Sequence, residues 1–132
     1  ALRGTKRYDR PHRDQDARFP FPWHDTTQWD HDTLEYFRSV IALRHKHPAL
    51  RNGRFEQAYA QDRQFAFWRI GDSQTLLVVI NAGDETAEVS LPSNASQRLG
   101  SRPEVVFGDA ELSADEEPLR MKLPARAAAM VG

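Results

Sequence analysis

Five aspartates, Asp14, Asp16, Asp25, Asp30 and Asp32, crowd one short span of the chain. Two carboxyl groups held at a fixed separation can act as general acid and base, so these are the first candidates for chemistry. Their setting argues against it. They lie in "DQDARFPFPWHDTTQWDHD", residues 14–32, where no apolar period would hold one carboxylate against another. Two of them serve the start of the adjoining helix. The five histidines, His12, His24, His31, His45 and His47, include no i, i+4 pair that could share a metal. On a helix His45 and His47 would point roughly 160° apart. There is no cysteine, no G-x-S-x-G elbow and no phosphate-binding G-x-x-x-x-G-K-[ST] loop. No catalytic residue, metal ligand or cofactor is therefore assigned.

What remains in that span is aromatic. Pro20 and Pro22 fix φ and remove backbone donors, which excludes helix and interior strand. Phe19, Phe21, Trp23 and Trp29 sit among them. Residues 1–29 carry no secondary-structure period, and structureless stretches beyond about 15 residues are usually functional or linker-like. A loop so stiff and so aromatic is expected to lie against another body.

From residue 30 the pattern becomes helical. In "DHDTLEYFRSVIALRHKHPAL" the side chains of Leu34, Tyr36, Phe37, Val40, Ile41 and Leu43 fall within one half of a helical wheel. Asp32 followed by Glu35 predicts a capping box. Arg44, His45 and Lys46 complement the dipole of the last turn, and Pro48 predicts a stop near His47. The helix is expected to dock on the C-terminal part of the chain through Phe37, Val40 and Ile41.

After Gly53 the period falls to two. Strands are predicted at 54–60, 64–70, 75–81, 86–92, 103–108, 119–124 and 126–132, separated by turn residues and by the polar run 93–101. "TLLVVIN" is apolar on both faces and should be the central strand. Such spacing predicts an antiparallel sandwich. Phe65 and Phe67 share one face and are expected in the core. Trp68, on the other face, either points inward or offers a sugar-stacking platform.

Composition sets the remaining bounds. The 132 residues suffice for one domain with an appendage, and a net charge of −1 gives no electrostatic reason to bind nucleic acid or an anionic membrane. Lack of cysteine suits a reducing cytoplasm, and no signal-like apolar segment opens the chain, so a cytoplasmic location is expected. The chain does not begin with Met, which suggests a start after processing or inside a longer polypeptide.

Four blocks, "DQDARFPFPW" (14–23), "WDHDTLEYFRSVIALRHKHPALRNGRF" (29–55), "TLLVVINAGDE" (75–85) and "LPARAAAMV" (123–131), together resemble the C-terminal portion of the alpha-amylase family of glycoside hydrolases. The branch is that of neopullulanase, cyclomaltodextrinase and maltogenic amylase. The resemblance implies a mainly β fold: an antiparallel Greek-key-type β-sandwich (domain C) preceded by one α-helix and a long N-terminal loop. It implies that residues 1–28 are the loop after the last strand of a (β/α)8 barrel, 29–50 the last barrel helix, and 51–132 the C-terminal sandwich. In the loop pattern Asp-Pro-x-x-Arg-x-Pro-[Phe/Met]-x-Trp, Asp14, Arg18, Pro20, Phe21 and Trp23 match, while Gln15 and Phe19 depart. By resemblance Asp14 and Arg18 would bind glucose hydroxyls, with Phe21 and Trp23 as cleft-wall candidates.

The implied parent is a retaining hydrolase of α-glucosidic bonds in maltodextrins, cyclodextrins or pullulan. Its acid/base, nucleophile and stabilising aspartate would sit on barrel strands outside these residues, so the chain alone is expected to be inactive. Its implied partners are the barrel and an α-glucan oligosaccharide. Two alternatives stay open: a stand-alone carbohydrate-binding sandwich using Trp68, and a structural interaction domain forming a homodimer through the exposed helix face.

Overall fold

The computed structural model describes residues 20–100, 102–113 and 118–132. The chain divides between Lys46 and His47. In the first unit a 3-10 turn, Thr26–Gln28, precedes helix α1, His31–Lys46. The cap differs from the expected box. Asp30 is the capping residue, accepting from the Thr33 amide at 3.0 Å and from the Thr33 hydroxyl at 2.8 Å. Asp32 lies one step too late, already inside the first turn, and Glu35 pairs with Arg38 at the exposed surface instead.

Those two bonds from Thr33, the amide's first, hold the Asp30 carboxyl below its ordinary range. Pro48 ends the helix as expected, because His47 must take an extended conformation before it (φ −111°, ψ 101°). Phe37 and Ile41 are 57% and 53% exposed.

In the second unit a short helix α2, Pro48–Asn52, leads into eight strands. These are β1 Arg54–Gln61, β2 Gln64–Ile70, β3 Thr75–Asn81, β4 Ala87–Ser90, β5 Val105–Phe107, β6 Glu111–Ser113, β7 Arg120–Leu123 and β8 Ala127–Val131. A third helix, α3, Ala95–Leu99, interrupts the polar run between β4 and β5. Three features were not expected from the sequence: α2, α3 and the three-residue β6.

Every strand pair is antiparallel. One sheet has the order β1-β2-β3-β8-β5 and the other β4-β7-β6. The chain passes between sheets at β3–β4, β4–β5, β5–β6 and β7–β8, and the result is the mainly β sandwich that the sequence implied. β3 is the central strand of the wider sheet, as its two apolar faces require. Both edges of that sheet carry a bulge, between Gln57 and Tyr59 in β1 and between Val105 and Phe107 in β5. Such irregularity discourages edge-to-edge pairing with another chain. Gly108 comes just after the second bulge with φ +86°, and a Cβ there would stand 2.1 Å from the Ala128 carbonyl oxygen.

The core lies between the sheets. Ala66 and Trp68 from β2, Leu77 and Val79 from β3, and Ala129 and Val131 from β8 meet Val89 from β4 and Met121 and Leu123 from β7. Leu91, Leu119 and Ala95 of α3 belong to the same cluster. Trp68 is only 1% exposed, with the Arg98 guanidinium 5.3 Å from its ring centre.

One polar side chain is built into this core. Asn81, at 1% exposure, donates through Nδ2 to the carbonyls of Glu85 and Pro124, each at 2.8 Å. Its Oδ1 accepts from the Gly83 amide at 2.9 Å and from Gln64 Nε2 at 3.1 Å. It thus ties the end of β3 to the turns after β3 and β7. A buried amide satisfied on both sides costs little and specifies its loops.

Candidate functional site

The residues 20–31 form the first candidate. A turn places the Trp23 amide 2.8 Å from the Phe21 carbonyl and the Asp25 amide 3.2 Å from that of Pro22. Trp29 closes the loop by donating its indole N–H to the Pro22 carbonyl at 2.9 Å. The rings then gather. Phe21 lies 4.6 Å from Trp23 and 5.4 Å from Trp29, and Trp23 meets Trp29 edge-on at 6.0 Å and 87°. Edge and tilted contacts suit the aromatic quadrupole. Phe21 is half-buried, whereas Trp23 is 75% exposed.

The acids of this loop are committed to holding it. Asp25 accepts from the Thr27 amide (3.1 Å), the Thr27 hydroxyl (2.6 Å) and Gln28 Nε2 (2.7 Å). The side-chain bonds from Gln28 and Thr27, in that order, hold its carboxyl below the usual carboxylate range. His31 completes the closure by hydrogen bonding through Nε2 to the Thr26 carbonyl at 2.9 Å. Both carboxylates, Asp25 and Asp30, are thus engaged in holding the turn and the helix start.

The second candidate is the outer face of the five-stranded sheet. Alternation along β1, β2 and β3 puts Phe55, Phe65, Phe67, Val78 and Ile80 there, opposite the core. Phe67 lies 5.2 Å from Phe55 and 5.7 Å from Phe65, tilted by 31° and 34° to them, and Phe55 is 52% exposed. Helix α2 covers one end only, where Ala49 is buried and Arg69 donates to the Ala49 carbonyl at 3.2 Å. The opposite outer face, on the three-stranded sheet, is charged: Glu88 pairs with Arg120 and Glu111 with Lys122. A contiguous apolar patch on one side and solvated ion pairs on the other mark an interaction surface.

One expectation changes here, and for Trp68 the inward position is the one found. Phe65 and Phe67 are not core residues; they line the outer face, because Ala66 and Trp68 take the inner positions. Trp68 is no sugar-stacking platform, since its ring is enclosed between the sheets. Asp14 and Arg18 lie outside the described residues. Phe21 and Trp23 do come together, and Trp29, which had no assigned part, is what holds them. Its place within the same proline-rich stretch was the available signal. Among the described residues, no cluster of three or more His, Asp or Glu side chains could hold a metal ion, and no helix is long and apolar enough to cross a membrane.

At one end of the sandwich three turns are clamped together. Asp84 accepts from Arg63 at 2.8 Å and from Arg126 Nε at 2.9 Å. These groups are exposed, so the clamp is worth little in water.

The described residues of the second unit thus define an antiparallel, bulged β-sandwich domain with one apolar outer face. Residues 55–130 match the family described as Maltogenic Amylase, C-terminal domain. The chain belongs to that family. Among curated relatives, a cyclomaltodextrinase from a Bacillus species is 42% identical over 59 residues, covering 43% of this chain and 11% of the relative. Alpha-amylase 2 of Dictyoglomus thermophilum is 32% identical over 69 residues, covering 52% of this chain and 12% of that protein. The native form of the Nostoc punctiforme debranching enzyme superposes with a TM-score of 0.72 at 28% identity, over 85% of this chain and 23% of that one. The chain thus spans only about a tenth of the length of these curated relatives.

Proposed function

We propose that this chain is the C-terminal part of an alpha-amylase-type glucan hydrolase, and that its task is structural. The sandwich packs through its outer aromatic face on a (β/α)8 barrel carried elsewhere in the polypeptide, and α1 serves as the last barrel helix. The loop with Asp14, Arg18, Phe21 and Trp23 contributes part of the substrate-cleft wall. The parent hydrolyses α-glucosidic bonds of maltodextrins, cyclodextrins or pullulan with retention, using acids outside these residues, so the chain alone turns over nothing.

The observation that supports this reading is the asymmetry of the sandwich. Phe55, Phe65, Phe67, Val78 and Ile80 line one outer face while ion pairs cover the other. A chimera tests it. Residues 55–130 replace the matching segment of the Bacillus cyclomaltodextrinase, and Phe55→Glu and Phe67→Glu are introduced together. The parent chimera should be soluble and active on cyclodextrin, and the double variant should lose most soluble activity. The same pair of changes in the 132-residue chain should leave its sandwich folded. A double-variant chimera as active as its parent would refute docking by this face.

A further inference from the structure

We propose that the Trp23 indole is a stacking platform for the apolar face of a glucose unit in an α-glucan, with Phe21 and Trp29 as positioning residues. This rests on the glucan-hydrolase reading above and adds to it a specific contact.

Three observations carry the assignment. The first is exposure: Trp23 is the most exposed large apolar side chain among the described residues, at 75%. The second is how it is held. Trp29 holds the Pro22 carbonyl and the Phe21 carbonyl holds the Trp23 amide, so both ends of the peptide unit that leads into Trp23 are fixed. Pro20 and Pro22 restrict the backbone on both sides of Phe21. A ring this exposed and this constrained has already lost the freedom that binding would otherwise remove.

The third observation is orientation. Trp29 meets Trp23 edge-on (87°) and Phe21 is tilted by 51°, so neither neighbour lies flat on the indole. A pyranose ring presents a flat face of C–H groups, which packs on an aromatic plane while its equatorial hydroxyls reach outward. Two residues further on, Asp25 is held ionised by Gln28 and Thr27. Its three accepted bonds leave one of about four acceptor sites for a sugar hydroxyl.

The test uses the 132-residue chain. Oxidation of its tryptophans by N-bromosuccinimide is monitored by peptide mass spectrometry, with and without millimolar maltohexaose or cellohexaose. Saturation-transfer NMR on the sugar runs in parallel. Trp23 should oxidise first, and maltohexaose should slow that step several-fold while cellohexaose does so far less. The NMR signal should vanish in Trp23→Ala and persist, weakened, in Trp23→Phe. Trp29→Phe keeps a ring but loses the indole donor, and should weaken binding by about two- to tenfold with the sandwich Tm unchanged.

Equal protection by both sugars would keep the platform and remove the α-glucan preference. Absence of protection at tens of millimolar would overturn the platform and leave the docking reading to the chimera. Trp23→Ala that lowers the solubility of the 132-residue chain without altering sugar binding would make Trp23 a packing residue, and would likewise overturn it.

Discussion

Replacing Asn81 by leucine should be among the most damaging single changes in the sandwich. The two side chains share the same branched shape, but leucine's methyl groups are larger than the amide's oxygen and nitrogen, so some overpacking adds to the loss of the hydrogen bonds. Three backbone groups lose a bond of 2.9 Å or less, the Gly83 amide and the carbonyls of Glu85 and Pro124, and the Leu123 carbonyl loses a longer one of 3.4 Å. Gly83 is buried, and a stranded buried amide costs about 1–3 kcal/mol. Glu85 and Pro124 are exposed, so water can replace part of what they lose, at about 0.5–1.5 kcal/mol each.

The expected loss is about 2–6 kcal/mol, which for a unit of this size lowers Tm by roughly 10–50 °C. Urea unfolding monitored by near-UV circular dichroism measures it. Asn81→Asp gives a second reading. It keeps the acceptor for Gly83 but turns an ionisable oxygen toward two carbonyls, which raises its folded-state pKa above the unfolded value. The folded variant then binds a proton more tightly than the unfolded one, so its deficit should shrink as pH falls. A loss below about 1 kcal/mol for Asn81→Leu would mean that the strands alone hold these turns, against the role assigned to the amide.

Trp68→Ala should cost about 3–5 kcal/mol in the same urea experiment, because a large enclosed ring and its contact with Arg98 are both removed; a near-neutral result would place the ring at the surface. Gly108→Ala should destabilise strongly, since the new Cβ would meet the Ala128 carbonyl at a residue with φ +86°, and an unchanged melting curve would show that the second bulge is pliable. Glu56 accepts from Arg98 at 2.7 Å and from Arg54 at 3.0 Å. The Arg98 hydrogen bond, against some desolvation and aided by both positive charges, holds its carboxyl below the ordinary range. Its contribution is therefore complete above the unfolded carboxylate value of about 4.3 and lost as pH falls through the lower folded value. The stability gap between wild type and Glu56→Gln should close on acidification, and a gap independent of pH would exclude this ion pair as its source.

The strands β2 and β3 could be read to the residue because turn chemistry brackets them: Asp62 with φ 50° on one side, Gly71 between them, and Gly83 beyond. Helix α3 was hidden because only Ala95 and Leu99 of its five residues are apolar, one turn apart, within a polar run. A stretch of three residues such as β6 carries too short a pattern to register against its neighbours. In β2 the alternation separates Phe65 and Phe67 from Trp68, but both faces are apolar, so the sequence does not say which face meets the second sheet. The partner sheet decides that, and it lies far along the chain.

The site was legible in the same uneven way. That the proline-rich loop is ordered around its aromatics came from residue types. That Trp29 anchors it through the Pro22 carbonyl did not, since a tryptophan's single donor announces no acceptor. Asn81 is the clearest case: an asparagine before Ala-Gly-Asp reads as a turn residue, and only the folded chain turns it inward to reach Pro124.

A strand that is apolar on both faces needs two covers. For β3 the inner one is the second sheet, through Val89, Met121 and Leu123. The outer one begins with α2, under which Leu76 is fully buried, and stops there. Val78 and Ile80 remain half-exposed beside the Phe55–Phe67–Phe65 row. Were this face meant for water, period-two alternation would place polar residues at 65, 67, 78 and 80, as it does at 88, 111, 120 and 122 on the other sheet. The same chain therefore writes a wet outer face and a dry one, and the dry one is the physical basis for proposing that a second body completes the fold.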